Sequence, residues 1–173
     1  MKTVFTDTSS AILLHKAGIL TFFSQLFSLV VPPAVQAELI QNHYPDAQIF
    51  CDHIHQGRIE VAPLSEPCLG DNLSGFQRLD SGEKETIGLF LFFQTGFLLT
   101  DDGMAAKFCL GHGLPFINAL LVPKIFWYNG DMTQTDANLL TKQIASLGRY
   151  SDRVKTIASG MTRKELSVFL KHP

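Results

Sequence analysis

Cysteine is scarce in this chain of 173 residues: Cys51, Cys68 and Cys109 are the only three. An odd number of widely spaced cysteines, with no Cys-x-x-Cys pair, excludes a disulfide-stapled secreted scaffold and gives no sign of a zinc knot. Small buried hydrophobes in a reducing compartment are the simpler reading. Long apolar runs are also missing. The most apolar stretch, residues 87–99, is broken by Gln94 and Gly96 and falls short of the roughly 20 residues a membrane-crossing helix needs. The first apolar run holds Asp7 and lacks a signal-peptide layout. A cytoplasmic protein with no membrane partner is the expectation. Charge is sparse too, at 17% DEKR, which excludes a charged coiled coil, while 46% hydrophobic residues exclude a disordered chain. Lys plus Arg is 14 and Asp plus Glu is 16, for a net charge of -2. A broad basic surface for nucleic acid is therefore absent.

The charge that is present is unevenly placed. From Lys142 onward seven basic residues face two acidic ones, a balance of +5, so the preceding residues carry seven basic and fourteen acidic, a balance of -7. The length is that of one ordinary domain. A β-rich run over 3–7 is followed by Asp7, Thr8 and Ser9 as helix N-caps, then by helical spacing over 11–17 and 19–27. Leu29, Val30 and Val31 read as a second buried strand. Pro32 and Pro33 suit the opening of a helix carrying Val35 and Leu39. Residues 44–67 have no clear period, although 58–62 alternate as a strand does. Asp80 with Glu83 three positions on resembles a capping box opening a helix over 81–94. Strands over 97–101 and 114–117 flank a helix around 104–110, and helices are expected over 119–127, 136–147, 151–159 and 163–170. Apolar strands alternating with helices predict an α/β fold with a parallel sheet covered on both faces. In such sheets ligands sit at the carboxyl ends of the strands.

Two of the best strands end in acids: Asp7, and the pair Asp101–Asp102. With Glu38, Glu83 and Glu85 they form a set of six carboxylates whose convergence would be costly without a cation. An all-oxygen set suits Mg²⁺ or Mn²⁺, which can acidify a water and steady attack on a phosphodiester. Each acid alone has a plainer reading as a cap or solvated residue. Glu83 has a capping job, which ranks it below Glu85 as a ligand.

These residues resemble a family. The opening Val4-Phe-Thr-Asp-Thr-Ser-Ser-Ala-Ile-Leu-Leu14 is similar to the first motif of PIN domains, and Val31-Pro-Pro-Ala-Val-Gln-Ala-Glu-Leu39 to the second. Gly82-Glu-Lys-Glu-Thr-Ile87 and Leu98-Leu-Thr-Asp-Asp102 resemble the third and fourth as one subgroup writes them. The resemblance implies a three-layer α/β/α sandwich over residues 1–173, with an α/β core over 1–118 and a helical part over 119–173. It implies a metal-dependent ribonuclease such as the toxin of a VapC-type toxin–antitoxin pair, dimeric, inhibited by a small antitoxin and using Mg²⁺ or Mn²⁺. The catalytic acids carried over are Asp7, Glu38, Glu85 and Asp102. Glu83 and Asp101 are close alternatives for the metal, with Ser9 and Thr100 supporting.

Two departures stand out. The subgroup places an Arg shortly after the Asp pair, where this chain has Ala105-Ala-Lys107, and a Gly-Thr turn after the last strand, where it has Asn118-Ala-Leu-Leu121. Lys107, Arg149, Arg153 and Lys155 are the candidate RNA contacts, with a solvated helical face as the alternative. A non-catalytic scaffold binding nucleic acid or protein is the competing function. A dehalogenase-type phosphatase would need an acid where Ser9 stands. Asp52-His-Ile-His55 would offer a zinc pair only on a strand, and His112, between two glycines, reads as a turn residue. The phenylalanines, Phe90, Phe92 and Phe93 among them, read as core or partner-contact surface.

Overall fold

The computed structural model describes residues 1–41, 45–63 and 70–171. Five strands, β1 (Lys2–Thr6), β2 (Phe27–Val31), β3 (Ile59–Val61), β4 (Phe97–Leu99) and β5 (Phe116–Ile117), form one sheet in the order β3-β2-β1-β4-β5. Every pairing is parallel. The helices are α1 (Thr8–Lys16), α2 (Leu20–Leu26), α3 (Pro33–Leu39), α4 (Ala47–His55), α5 (Ser81–Phe93), α6 (Gly103–His112), α7 (Val122–Asn129), α8 (Gln134–Leu147) and α9 (Asp152–Gly160).

The middle of the sheet is apolar on both sides because both faces are covered. Successive side chains point to opposite sides, and the core divides accordingly. Val4, Leu29, Val31, Phe97, Leu99 and Ile117 join one cluster with α1 to α4, α7 and α8. Phe5, Val30 and Leu98 join the other, with Phe76 and residues of α5 and α6. The result is a three-layer α/β/α sandwich. Leu166, Phe169 and Leu170, near the end of the chain, are buried in the first cluster.

Gly96 fixes how β4 starts beside β1. Its φ is +75°, and a Cβ there would lie 1.9 Å from the Thr3 carbonyl oxygen. Only glycine brings the two backbones that close.

Four expectations change. Residues 163–170 form turns and a short 3-10 segment, Ser167–Phe169, in place of an α-helix. Thr162 and Glu165 bond as expected, but Leu166, Phe169 and Leu170 are buried from turns and the short 3-10 segment, not from an α-helix. Residues 119–127 begin as a 3-10 turn, Ala119–Leu121, before α7. The third change is α4, which places His53 and His55 on a helix, where residues two apart do not share a face. His53 is buried and His55 exposed, so the paired-imidazole site does not form. His112 closes α6 rather than standing in a turn. Phe90 is buried, while Phe92 and Phe93 are about half exposed. Cys51 and Cys109 are free thiols, and Cys68 lies outside the described residues.

Candidate metal centre

The strand order reverses between β1 and β4, since β2 and β3 lie to one side of β1 and β4 and β5 to the other. That switch point opens a crevice at the carboxyl ends, and β1 runs into Asp7 there. Thr6 is level with Leu99 on β4, so the next residues, Asp7 and Thr100, come side by side. Asp7 is the N-cap of α1 and only 5% exposed. Its Oδ1 accepts from the Ser10 amide at 2.8 Å and the Ser9 hydroxyl at 2.9 Å, and its Oδ2 from the Thr100 hydroxyl at 2.5 Å. Burial pushes its pKa up, against the donors from Thr100, Ser10 and Ser9.

A pocket of about 360 Å³ opens above this residue, lined by Asp7, Ser9, Glu38, Asp80, Glu83, Asp101 and Asp102 among others. Glu38 arrives on α3, where its Oε2 accepts from the Thr8 hydroxyl. Gly82, whose added Cβ would meet Glu38 Oε1 at 3.3 Å, lets α5 come up against that carboxylate. Asp102 caps α6, accepting from Met104 and Ala105 amides at 2.6 and 3.0 Å.

Glu83 and Asp102 titrate in opposite directions. Burial first, and then the neighbouring Asp102 carboxylate, push Glu83 up to about 8. Burial acts upward on Asp102 as well, but the Ala105 amide, the Glu83 carboxyl and the remaining α6 amides outweigh it and hold Asp102 below its ordinary value. Asp101 is satisfied differently. It accepts from the Ser10 hydroxyl at 2.8 Å, from the Ala119 amide at 3.1 Å and from the Tyr150 hydroxyl. Burial lifts it to about 6 in spite of the Tyr150 and Ser10 bonds.

The structure thus gathers five of the six acids and leaves one out. Glu85 is absent from the pocket lining; its Oε2 accepts from the Ala34 amide at 2.9 Å, capping the first turn of α3. Glu83 takes the pocket position instead. Its capping role uses Oε2, on the Asp80 amide at 3.0 Å, and the residue also lines the pocket. The ranking of Glu85 over Glu83 is reversed by this geometry. Of the basic residues, Lys107 is exposed on α6; Arg149 is exposed before α9, and Arg153 and Lys155 are exposed on it. None of the four lines the acidic pocket, and Lys155 pairs with Asp152 at 3.3 Å.

Three partners escape a reading of the sequence. Thr8 and Ser10 flank the first motif, and their hydroxyl chemistry is a usable signal. Tyr150 has none, because it lies 49 residues from Asp101. The chain between α8 and α9 delivers it, with Gly148 leaving room for the ring: a Cβ there would lie 2.3 Å from Tyr150 Cε2.

The donor set fits a hard divalent cation. All its members are carboxylates lining one pocket, and a cation would relieve the repulsion among them. Among the described residues, no three His, Cys, Asp or Glu side chains already stand as a closed metal-holding group. Glu38 and Asp101 are turned to hydrogen-bond donors, so binding requires side-chain rotation.

Among the described residues no helix is long and apolar enough to cross a membrane. No curated relative matches the sequence. A family model described as a PIN domain matches residues 3–151, a span that takes in all five strands save Lys2 and every acid of the pocket. With its parallel sheet, its switch-point crevice and the ordered acids along it, the chain belongs to the PIN-domain family, whose members are generally nucleases.

Proposed function

We propose that this protein is a metal-dependent endoribonuclease. The observation that carries the reading is the buried Asp7 at the switch point, sharing one pocket with Glu38, Glu83, Asp101 and Asp102. Asp7, Glu38, Glu83 and Asp102 would hold Mg²⁺ or Mn²⁺. The cation supplies neutralising charge and the acidity that turns water into a nucleophile for a phosphodiester.

The protein's own groups prepare the site. Ser9, Ser10 and Thr100 fix both oxygens of Asp7, so its carboxylate is preorganised. Thr8 orients Glu38. Asp101 ties α1, the turn before α7 and Tyr150 together and acts as a positioning residue. Glu83, protonated at neutral pH by its raised pKa, would have to be ionised to hold a cation.

Purified protein with Mn²⁺ should cleave single-stranded RNA, and Asp7→Asn should abolish cleavage while leaving the melting temperature within a few degrees. Equal activity in that variant would refute the assignment. A second reading, a binding scaffold without catalysis, is favoured by the absence of a closed donor group among the described residues. It predicts no carboxylate-dependent heat when Mn²⁺ is titrated in. We further propose a toxin role in the cytoplasm, as a homodimer held by a small antitoxin; co-purification with the product of a neighbouring gene would support it.

A further inference from the structure

The two chain segments that wall the acidic pocket continue into a second cavity, of about 580 Å³. Arg78 and Leu79 line it just before Asp80 and Glu83 enter the acidic pocket. On α6, Asp102 caps the acidic pocket, and Lys107 and His112 line the second cavity one to three turns further on. The sign of the charge reverses along these shared walls. Arg78 and Lys107 both line the second cavity, and no carboxylate does, although the body of the chain holds twice as many acids as bases. Among the described residues neither cation forms an ion pair.

One wall is a fixed ring. His112 Nε2 donates to the Ser74 carbonyl at 2.9 Å, and its ring leans on Phe108 with centroids 4.4 Å apart. Phe108 in turn rests on Phe76 at 5.7 Å. At Gly111, also in the lining, a Cβ would meet nothing within 4 Å, so that rim stays clear.

An acidic pocket repels the phosphates on either side of the bond it cleaves, so a polynucleotide needs cations close by to hold it there. We propose that this cavity is the subsite for a nucleotide of single-stranded RNA adjoining the scissile phosphate. Arg78 and Lys107 take a backbone phosphate, and the His112 ring meets the base. The inference rests on the ribonuclease reading of the acidic pocket and places the strand along α6 rather than across α9.

The test is fluorescence anisotropy of a labelled 12-nucleotide oligouridylate, in EDTA to prevent cleavage, over a range of salt concentrations. The variant Arg78→Ala/Lys107→Ala should weaken binding roughly tenfold and reduce the slope of log K against log salt by about 0.7, one single-strand phosphate contact. An unchanged melting temperature checks its fold, since both side chains are exposed. The comparison variant Arg149→Ala/Arg153→Ala should change the slope by less. If the first variant binds as wild type does, or the second loses more, the subsite is overturned and the acidic-centre reading stands. If the wild-type protein binds no oligonucleotide, both readings fall.

Discussion

Addition of Mn²⁺ to the metal-free protein should expel one proton, and the source is Glu83. With its pKa at about 8, this carboxyl is roughly 90% protonated at pH 7, and a cation competes with that proton. Each pH unit below 8 then weakens the apparent affinity about tenfold, the equivalent of roughly 1.4 kcal/mol. Calorimetry at pH 6.5 in two buffers of different ionisation heat should give close to one proton released per ion, falling towards zero by pH 9.5. Glu83→Gln should lose the release and bind more weakly. The same group sets a pH dependence of stability. Its folded pKa lies above the ordinary Glu value of 4.5, so its contribution is fully present below pH 4.5 and is lost as pH rises through 8. Without metal, melting temperature should drift down across that window, and Mn²⁺ should offset the loss at the alkaline end. Normal Mn²⁺ binding at pH 6.5 with no proton release would refute the protonated Glu83, and with it the placing of Glu83 in the centre.

Three further expectations follow from the geometry. Glu85→Ala should bind Mn²⁺ as wild type does and lose about 1 kcal/mol in urea unfolding, because it removes only the acceptor for the Ala34 amide at the start of α3. Tyr150→Phe should cost about 1.5–3 kcal/mol in the same assay, the range for a hydrogen bond to a charged group, since Asp101 retains only Ser10 and Ala119. Gly96→Ala should cost over about 4 kcal/mol or prevent folding, because the Thr3 carbonyl lies 1.9 Å from the new Cβ. Gly18→Ala, with φ +73° but nothing within 4 Å, should cost only about 1–2 kcal/mol.

The parallel α/β architecture was legible because strands covered on both faces carry apolar residues in succession, as Val4–Phe5, Leu29–Val31 and Phe97–Leu99 do. The acids at two of those strand ends were legible for the same reason, since a polar residue directly after a buried run has to be at a sheet edge. Helix α4 was hidden: its buried stripe, Ala47, Phe50 and His53, includes a polar residue and so breaks the apolar period. The end of the chain misled in the opposite way. The Thr162–Glu165 box is real, but a cap only permits a helix, and packing on the first core chose turns.

By itself the sequence determined the sheet, the order of the acids and the family, because burial pattern and motif spacing are local properties. Only the tertiary structure decided which carboxylates meet. Glu83 and Glu85 are two residues apart on one helix and therefore point about 200° apart, so one enters the crevice and the other caps α3. The same holds for Tyr150, which reaches Asp101 only because the folded chain returns to the switch point, and for the meeting of Arg78 with Lys107 beside it.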